Sequence, residues 1–171
     1  MLLNLKKKIQ EEGSVLPIQE TLDLSKLEYN AAYPFVAPVR AEGTVEMHGG
    51  FAQLSVAVSF DFSIPCDRCT SQINRRFTYR FSHTLVEALS NEQDADDDQY
   101  VVLEADGSLD LDRLLTEDIL LELPTKFLCR EDCKGLCPTC GKNLNDGPCG
   151  CSQHQIDPRL EVLKQLIDKP E

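Results

Sequence analysis

The sequence predicts an α+β fold: a mainly antiparallel sheet with a long hairpin, two short helices and a C-terminal cysteine-rich module. Three observations point there. Leu54, Val56, Val58, Phe60, Phe62 and Ile64 alternate with Ser, Ala and Asp, and alternation resumes at Ile73, Arg75, Phe77, Tyr79, Phe81, His83 and Leu85. Two later stretches, Leu109 to Leu123 and Asp157 to Ile167, set apolar residues at helical spacing. Finally, six cysteines fall between Cys129 and Cys151.

Residues 1–50 hold short apolar pieces, Leu2–Ile9, Ile18–Leu24 and Phe35–Val45, broken by Gly13, Pro17, Pro34 and Pro38, and read as strands and loops. The alternation after residue 53 has the period of a half-buried strand. Its interruption at Pro65-Cys66-Asp67-Arg68-Cys69 makes a long antiparallel hairpin with a cysteine pair near its tip. Residues 91–99 contain no apolar side chain but Ala95 and bury nothing that would offset the entropy of ordering them, so a loop is expected. Tyr100 to Leu103 reads as a short strand ended by Asp106-Gly107. The first helix follows, with Asp110 as N-cap and Leu111, Leu114, Leu115, Asp118 or Ile119, and Glu122 at its spacing, stopped by Pro124. Asp157-Pro158 opens the second, with Leu160, Leu163, Leu166 and Ile167 as its apolar stripe. The expected organisation is a β core over 1–90, an acidic loop, strand and helix over 91–123, and a cysteine-rich metal module with a terminal helix over 124–171.

Net charge is −12, and its distribution matters more than its sum. Residues 1–90 hold 9 basic and 10 acidic side chains, residues 124–171 hold 7 of each, and residues 91–123 hold 1 against 12. The middle segment is either a solvated linker and helix face or a surface that attracts a basic partner. Arg68, Arg75, Arg76 and Arg80 form a local basic concentration at the hairpin, suited to touching RNA phosphate or to keeping an outer strand face wet.

The cysteines carry the strongest chemical signal. Cys137-Pro-Thr-Cys140-Gly141 is a metal knuckle in which two thiolates on a tight turn converge on one ion. A tetrahedral sulfur set needs a second pair, for which Cys149-Gly-Cys151 and Cys129 with Cys133 compete. Cys66 and Cys69 are a candidate second metal or thiol pair, and joining them to Cys129 and Cys133 would place all eight cysteines in two four-sulfur sites. The spacing leaves the ligand set and the number of ions open. The first residues hold no apolar stretch of signal-peptide length, so a cytoplasmic protein with reduced thiols is expected, and structural zinc is favoured over disulfides, iron or redox-active thiols. No apolar run reaches the roughly 18 residues of a membrane span.

Catalytic patterns are absent: there is no glycine-rich phosphate loop after a strand, no serine elbow and no His-Glu-x-x-His helix. The three histidines are His48 in a turn, His83 on a strand as a structural residue, and His154 as a substitute metal ligand. No small-molecule substrate and no enzymatic activity are expected, since an all-sulfur zinc site is normally closed to water. The alternatives are a zinc ribbon that docks in transcription and a rubredoxin-like electron-transfer module.

The order of these features resembles the YceD family of large ribosomal RNA subunit accumulation proteins. The likeness rests on Cys66-Asp-Arg-Cys69 after an alternating strand, on Leu109-x-Leu111 through Leu121-Glu-Leu-Pro124, and on Leu128-Cys129-x-x-Asp132-Cys133-Lys-Gly-Leu-Cys137-Pro-x-Cys140-Gly-x-Asn143-Leu-Asn145. Ile156-Asp157-Pro158-Arg159-Leu160 closes the pattern. The resemblance spans roughly residues 50–168 and implies a bacterial, cytoplasmic, non-enzymatic factor in accumulation or processing of the large-subunit (23S) ribosomal RNA precursor. Its implied partners are that RNA, a basic ribosomal protein, or both. The family's gene typically neighbours one for a small zinc-binding protein of the large subunit, which suggests that protein. Members differ in their cysteines, which implies a metal that supports the fold rather than a reaction.

Overall fold

The computed structural model describes residues 2–6, 8–88 and 100–151. Its elements are β1 (Leu2–Asn4), β2 (Glu12–Leu22), β3 (Val39–His48), β4 (Phe51–Pro65), β5 (Gln72–Val86), β6 (Tyr100–Val102), β7 (Ser108–Asp110) and α1 (Leu111–Glu122), with a 3-10 turn at Leu144–Asp146. A five-stranded sheet has the order β2-β3-β4-β5-β6, and β1 with β7 forms a two-stranded sheet.

The alternating segments become β4 and β5, which pair antiparallel in unbroken register from Phe51 opposite Val86 to Pro65 opposite Gln72. Leu54, Val56, Val58, Phe60, Phe62 and Ile64 all point to one buried face, as a period of two requires. On that face Phe62 stacks on Phe127 at 5.3 Å and meets Phe35 edge-on at 5.2 Å, while Phe60 stacks on Phe77 at 5.6 Å. Gly43 on β3 is forced by proximity, because a Cβ there would lie 2.1 Å from the Ser55 carbonyl oxygen of β4.

The expected α+β class with two short helices is corrected: the described residues are mostly strand and hold one α-helix. Residues 12–22 and 39–48 form full-length strands where the sequence suggested short broken pieces. Pro17 is tolerated because β2 lies at the sheet edge, where a missing N–H disrupts no inner ladder, and Gly13 takes φ +78° beside the irregularity between Glu12 and Val15. The sheet is also mixed, since β6 runs parallel to β5. The helix expected over 157–167 and the loop over 91–99 lie outside the described residues.

Helix α1 begins at Leu111, directly after the expected N-cap, and Leu109 of the apolar stretch belongs instead to β7, opposite Leu3 of β1. Asp110 caps it, accepting the Arg113 N–H at 3.4 Å. Leu111, Leu115 and Ile119 form its buried stripe, and Asp118 beside them holds His83 of β5 through a 2.9 Å contact between Oδ2 and Nε2. His83 is therefore a buried, partnered residue of the core.

The chain divides into two compact units. One comprises Met1–Pro65 and Gln72–Phe127, with the sheets, α1 and the aromatic layer; the other comprises, in its described part, residues 66–71 and 128–151.

Candidate metal centre

The second unit brings the eight cysteines into two groups of four: Cys66, Cys69, Cys129 and Cys133, and Cys137, Cys140, Cys149 and Cys151. Within each group the sulfurs all lie within 4.8 Å of one another, and all eight are free thiols. The six-cysteine run at 129–151 is thus divided, its first pair joining Cys66 and Cys69 from the loop between β4 and β5.

Each pair owes its convergence to local backbone. In the first knuckle Cys66 N–H donates to the Ser71 carbonyl at 2.8 Å and Thr70 N–H to the Cys66 carbonyl at 2.9 Å, with Thr70 at φ +59°. The second repeats the pattern, with Cys137 N–H donating to Lys142 O at 2.8 Å, Gly141 N–H to Cys137 O at 2.9 Å, and Gly141 at φ +73°. Both turns reverse the chain within one knuckle and leave two thiols side by side.

The distances suit a tetrahedral ion. A metal–sulfur bond of about 2.3 Å sets neighbouring sulfurs about 3.8 Å apart, and the structure places Cys66 and Cys133 at 3.8 Å and Cys69 and Cys129 at 3.5 Å. Hydrogen bonds to sulfur complete the first group: Cys129 N–H donates to Cys66 Sγ at 3.4 Å, and Asn145 Nδ2 donates to Cys133 Sγ at 3.3 Å. Each group of four could hold one metal ion.

The electrostatics of the thiols agree with that capacity. Burial acts to raise the Cys66 thiol, yet backbone N–H groups of Arg68, Cys129 and Cys69 outweigh it and bring it down to about 6. The N–H groups of Cys140 and Thr139 likewise lower Cys137 to about 6. Hydrogen bonding to Cys69, then burial, pushes Cys129 up to about 12, and hydrogen bonding to Cys140, then burial, does the same to Cys151. Each group thus offers a ready thiolate and a thiol that loses its proton only to a compensating cation. Metal uptake at pH 7 is expected to release at least one proton per site, so affinity rises with pH. Calorimetric titration of the metal-free protein in two buffers of different ionisation enthalpy checks this, and identical heats in both would contradict it.

Sequence reasoning treated Arg68, Arg75, Arg76 and Arg80 as one basic group, for RNA phosphate or for a wet strand face, but the structure gives them three settings. Arg68 belongs to the cysteine-rich unit, where its guanidinium donates to the Cys133 carbonyl at 2.8 Å. Arg75 shares the aromatic face of the sheet, with its guanidinium carbon 6.0 Å from the Phe77 ring centroid. Arg76, opposite Asp61, and Arg80, opposite Ala57, emerge on the other face. Arg40 of β3 adds to these: with Arg76 it borders a hollow of about 300 Å³ also lined by Ser59 and Asp61. No sequence proximity signals that pair, because register alone brings the two arginines together. His154 lies outside the described residues.

Comparison with known proteins matches residues 54–167 to the family model described as "Large ribosomal RNA subunit accumulation protein YceD". The chain belongs to the YceD family. It is 28% identical over 156 residues to the uncharacterized protein YlbN of Bacillus subtilis, covering 86% of each chain. It is 32% identical over 102 residues to the uncharacterized protein Rv2926c of Mycobacterium tuberculosis, covering 60% of this chain and about half (49%) of that one. A maize protein named large ribosomal RNA subunit accumulation protein YCED homolog 1, chloroplastic, is 36% identical over 82 residues, 47% of this chain and 28% of its own. No solved structure matches the chain.

The matched YceD region holds every cysteine, from Cys66 to Cys151. It also holds residues that sequence reasoning quoted without a role. Gly135 takes φ +75° at a point where a Cβ would stand 3.1 Å from the Arg68 carbonyl oxygen, so a side chain there would be strained and tightly crowded in the link between the two cysteine groups. Asn143 accepts the Asn145 N–H at 3.0 Å through Oδ1, which shapes the 3-10 turn.

Proposed function

We propose that this protein is a non-enzymatic biogenesis factor that supports accumulation or processing of large-subunit (23S) ribosomal RNA in the bacterial cytoplasm, with structural zinc at both cysteine groups. The match of residues 54–167 to the YceD family carries the reading. The donor chemistry supports zinc, because four thiolates at tetrahedral spacing form a closed site whose contribution is to folding.

The charge layout supports a two-partner surface. Residues 91–123, with 12 acidic and 1 basic side chain, would meet a basic ribosomal protein. Where α1 borders β6 and β7, a hollow of about 460 Å³ has Leu2, Val102 and Leu114 among its apolar walls and Glu104, Asp110 and Glu117 among its acidic ones; Arg113 also lines it and pairs with Glu117 at 2.9 Å, which leaves Glu104 and Asp110 to face a basic chain. On the opposite sign, Arg76 and Arg80, with Arg40, would approach RNA phosphates from the outer sheet face, and Arg75 from the aromatic one.

The double variant Arg76→Glu and Arg80→Glu is expected to weaken association with pre-large-subunit particles. It should also flatten the salt dependence by about 0.7–0.9 in log–log slope for each phosphate that the variant no longer neutralises. Sedimentation of particles across a salt series measures both effects. Unchanged association with an unchanged slope would sink the idea that these arginines meet RNA.

A further inference from the structure

We infer that the two cysteine groups act as one linked metal centre, in which an ion at either site strengthens binding at the other, with Asn145 as the tie between them. The inference rests on the metal reading of the thiols.

Asn145 is a residue of one site's loop that serves the other site. It sits in the 3-10 turn Leu144–Asp146, between Cys140 and Cys149, so its position depends on how the loop of the second group is closed. Yet its amide nitrogen donates to Cys133 Sγ of the first group at 3.3 Å, and its Oδ1 accepts the N–H of Lys134, the residue after Cys133, at 2.9 Å. A hydrogen bond donated to a ligating thiolate orients it and spreads its charge, and such supporting interactions are worth about 10- to 100-fold in metal affinity.

The chain between the sites is held from both directions. Only Lys134, Gly135 and Leu136 separate Cys133 from Cys137. From the first group's knuckle, the Arg68 guanidinium grips Cys133 O at 2.8 Å and its own carbonyl accepts Leu136 N–H at 3.0 Å. From the second group's loop, Leu144 N–H donates to Gly135 O at 2.9 Å, and Leu136 bridges Asn143. Metal at Cys137, Cys140, Cys149 and Cys151 closes the loop that presents Asn145 to Cys133, and metal at the first group fixes the link against which that loop folds. Coupling of binding free energies is reciprocal, so each ion must favour the other equally.

Anaerobic cobalt(II) titration of the reduced, metal-free full-length protein tests this, with thiolate-to-metal absorption and a competing chelator reporting affinity. The variant Cys149→Ser with Cys151→Ser isolates the first site, and Cys66→Ser with Cys69→Ser isolates the second. The first site should bind about tenfold or more weakly when the second is disabled. Asn145→Ala should weaken the first site similarly in the full protein while leaving the isolated second site unchanged. Asn145→Asp keeps the acceptor for Lys134 N–H but replaces the donor to sulfur with a carboxylate oxygen that repels the thiolate, so it should weaken the first site at least as much as alanine does, even if alanine disturbs the turn. First-site affinity independent of the second site would overturn the linkage. Weakening of the isolated second site by both Asn145 variants, to the same extent as the first, would reduce Asn145 to a loop residue and overturn its role. Absence of thiolate–cobalt bands in the unsubstituted protein would instead remove the metal reading itself.

Discussion

Chelation of metal from the reduced protein is expected to unfold residues 66–71 and 128–151 while the five-stranded sheet stays folded. The asymmetry follows from what each unit buries. The sheet unit has a core that includes Leu54, Val58, Phe60, Phe62, Leu85, Leu115 and Ile119. In the cysteine-rich unit the buried side chains among the described residues are thiols, those of Cys66, Cys69, Cys133 and Cys137, while Leu128, Leu136 and Leu144 stay partly or largely exposed. Such a segment cannot repay its backbone entropy by hydrophobic burial. Its folding energy must come from metal, on the order of 10 kcal/mol in small zinc modules. Amide NMR spectra before and after chelation decide the matter. Collapse of the 128–151 signals to unfolded positions, with dispersed strand signals retained, is the expected result; dispersion surviving in both regions would show that metal is not what folds this unit.

The second large effect belongs to the aromatic layer. Phe62 is 1% exposed and touches the rings of Tyr29, Phe35, Phe60, Phe77 and Phe127. Phe62→Ala takes away the ring on which all of these pack and opens a cavity that neighbouring strands, held in ladder register, cannot collapse to fill. The expected loss is about 3–5 kcal/mol. Ser59→Ala, on the opposite face of the same strand, should change stability by no more than about 0.5 kcal/mol. Urea midpoints of the sheet transition compare the two, and a Phe62→Ala loss below about 1 kcal/mol, well short of the usual cost of emptying a core position, would mean that this layer is not the core.

Much of the hairpin was legible because a half-buried strand writes its geometry into the chain at a period of two. Every second residue from Leu54 to Ile64 is apolar, and every one of them is buried. Helix α1 was legible for a similar reason, through Asp110 and the Leu111, Leu115, Ile119 stripe. Strand β2 was obscured because Gly13 and Pro17 usually interrupt strands, and only its place at the sheet edge makes them harmless. Strand β7 was missed because Leu109 fits the helical period that follows it, while its pairing opposite Leu3 involves residues more than a hundred positions apart.

The metal-binding capacity was legible from cysteine density, but not the division of ligands. Six thiols close in sequence suggest one local cluster, whereas Cys129 and Cys133 are drawn to Cys66 and Cys69, some sixty residues earlier. No local pattern encodes that choice; the count of eight, arranged as four pairs, was the one signal compatible with it. The roles of Asn145 and Gly135 were equally hidden, since a hydrogen bond to sulfur and a close approach to the Arg68 carbonyl exist only in the folded module. Arg68 shows the converse, for its charge suggested phosphate while its geometry ties it to Cys133.

If the protein acts on the maturing large ribosomal subunit as proposed, it is found with that subunit's RNA in the cell. Purifying the tagged full-length protein from growing cells at low salt, sequencing the RNA and identifying the proteins that come with it is therefore the decisive measurement. Large-subunit precursor RNA should be enriched together with basic large-subunit proteins. Recovery of RNA polymerase or redox enzymes in their place, with no precursor RNA above background, would contradict the proposed role.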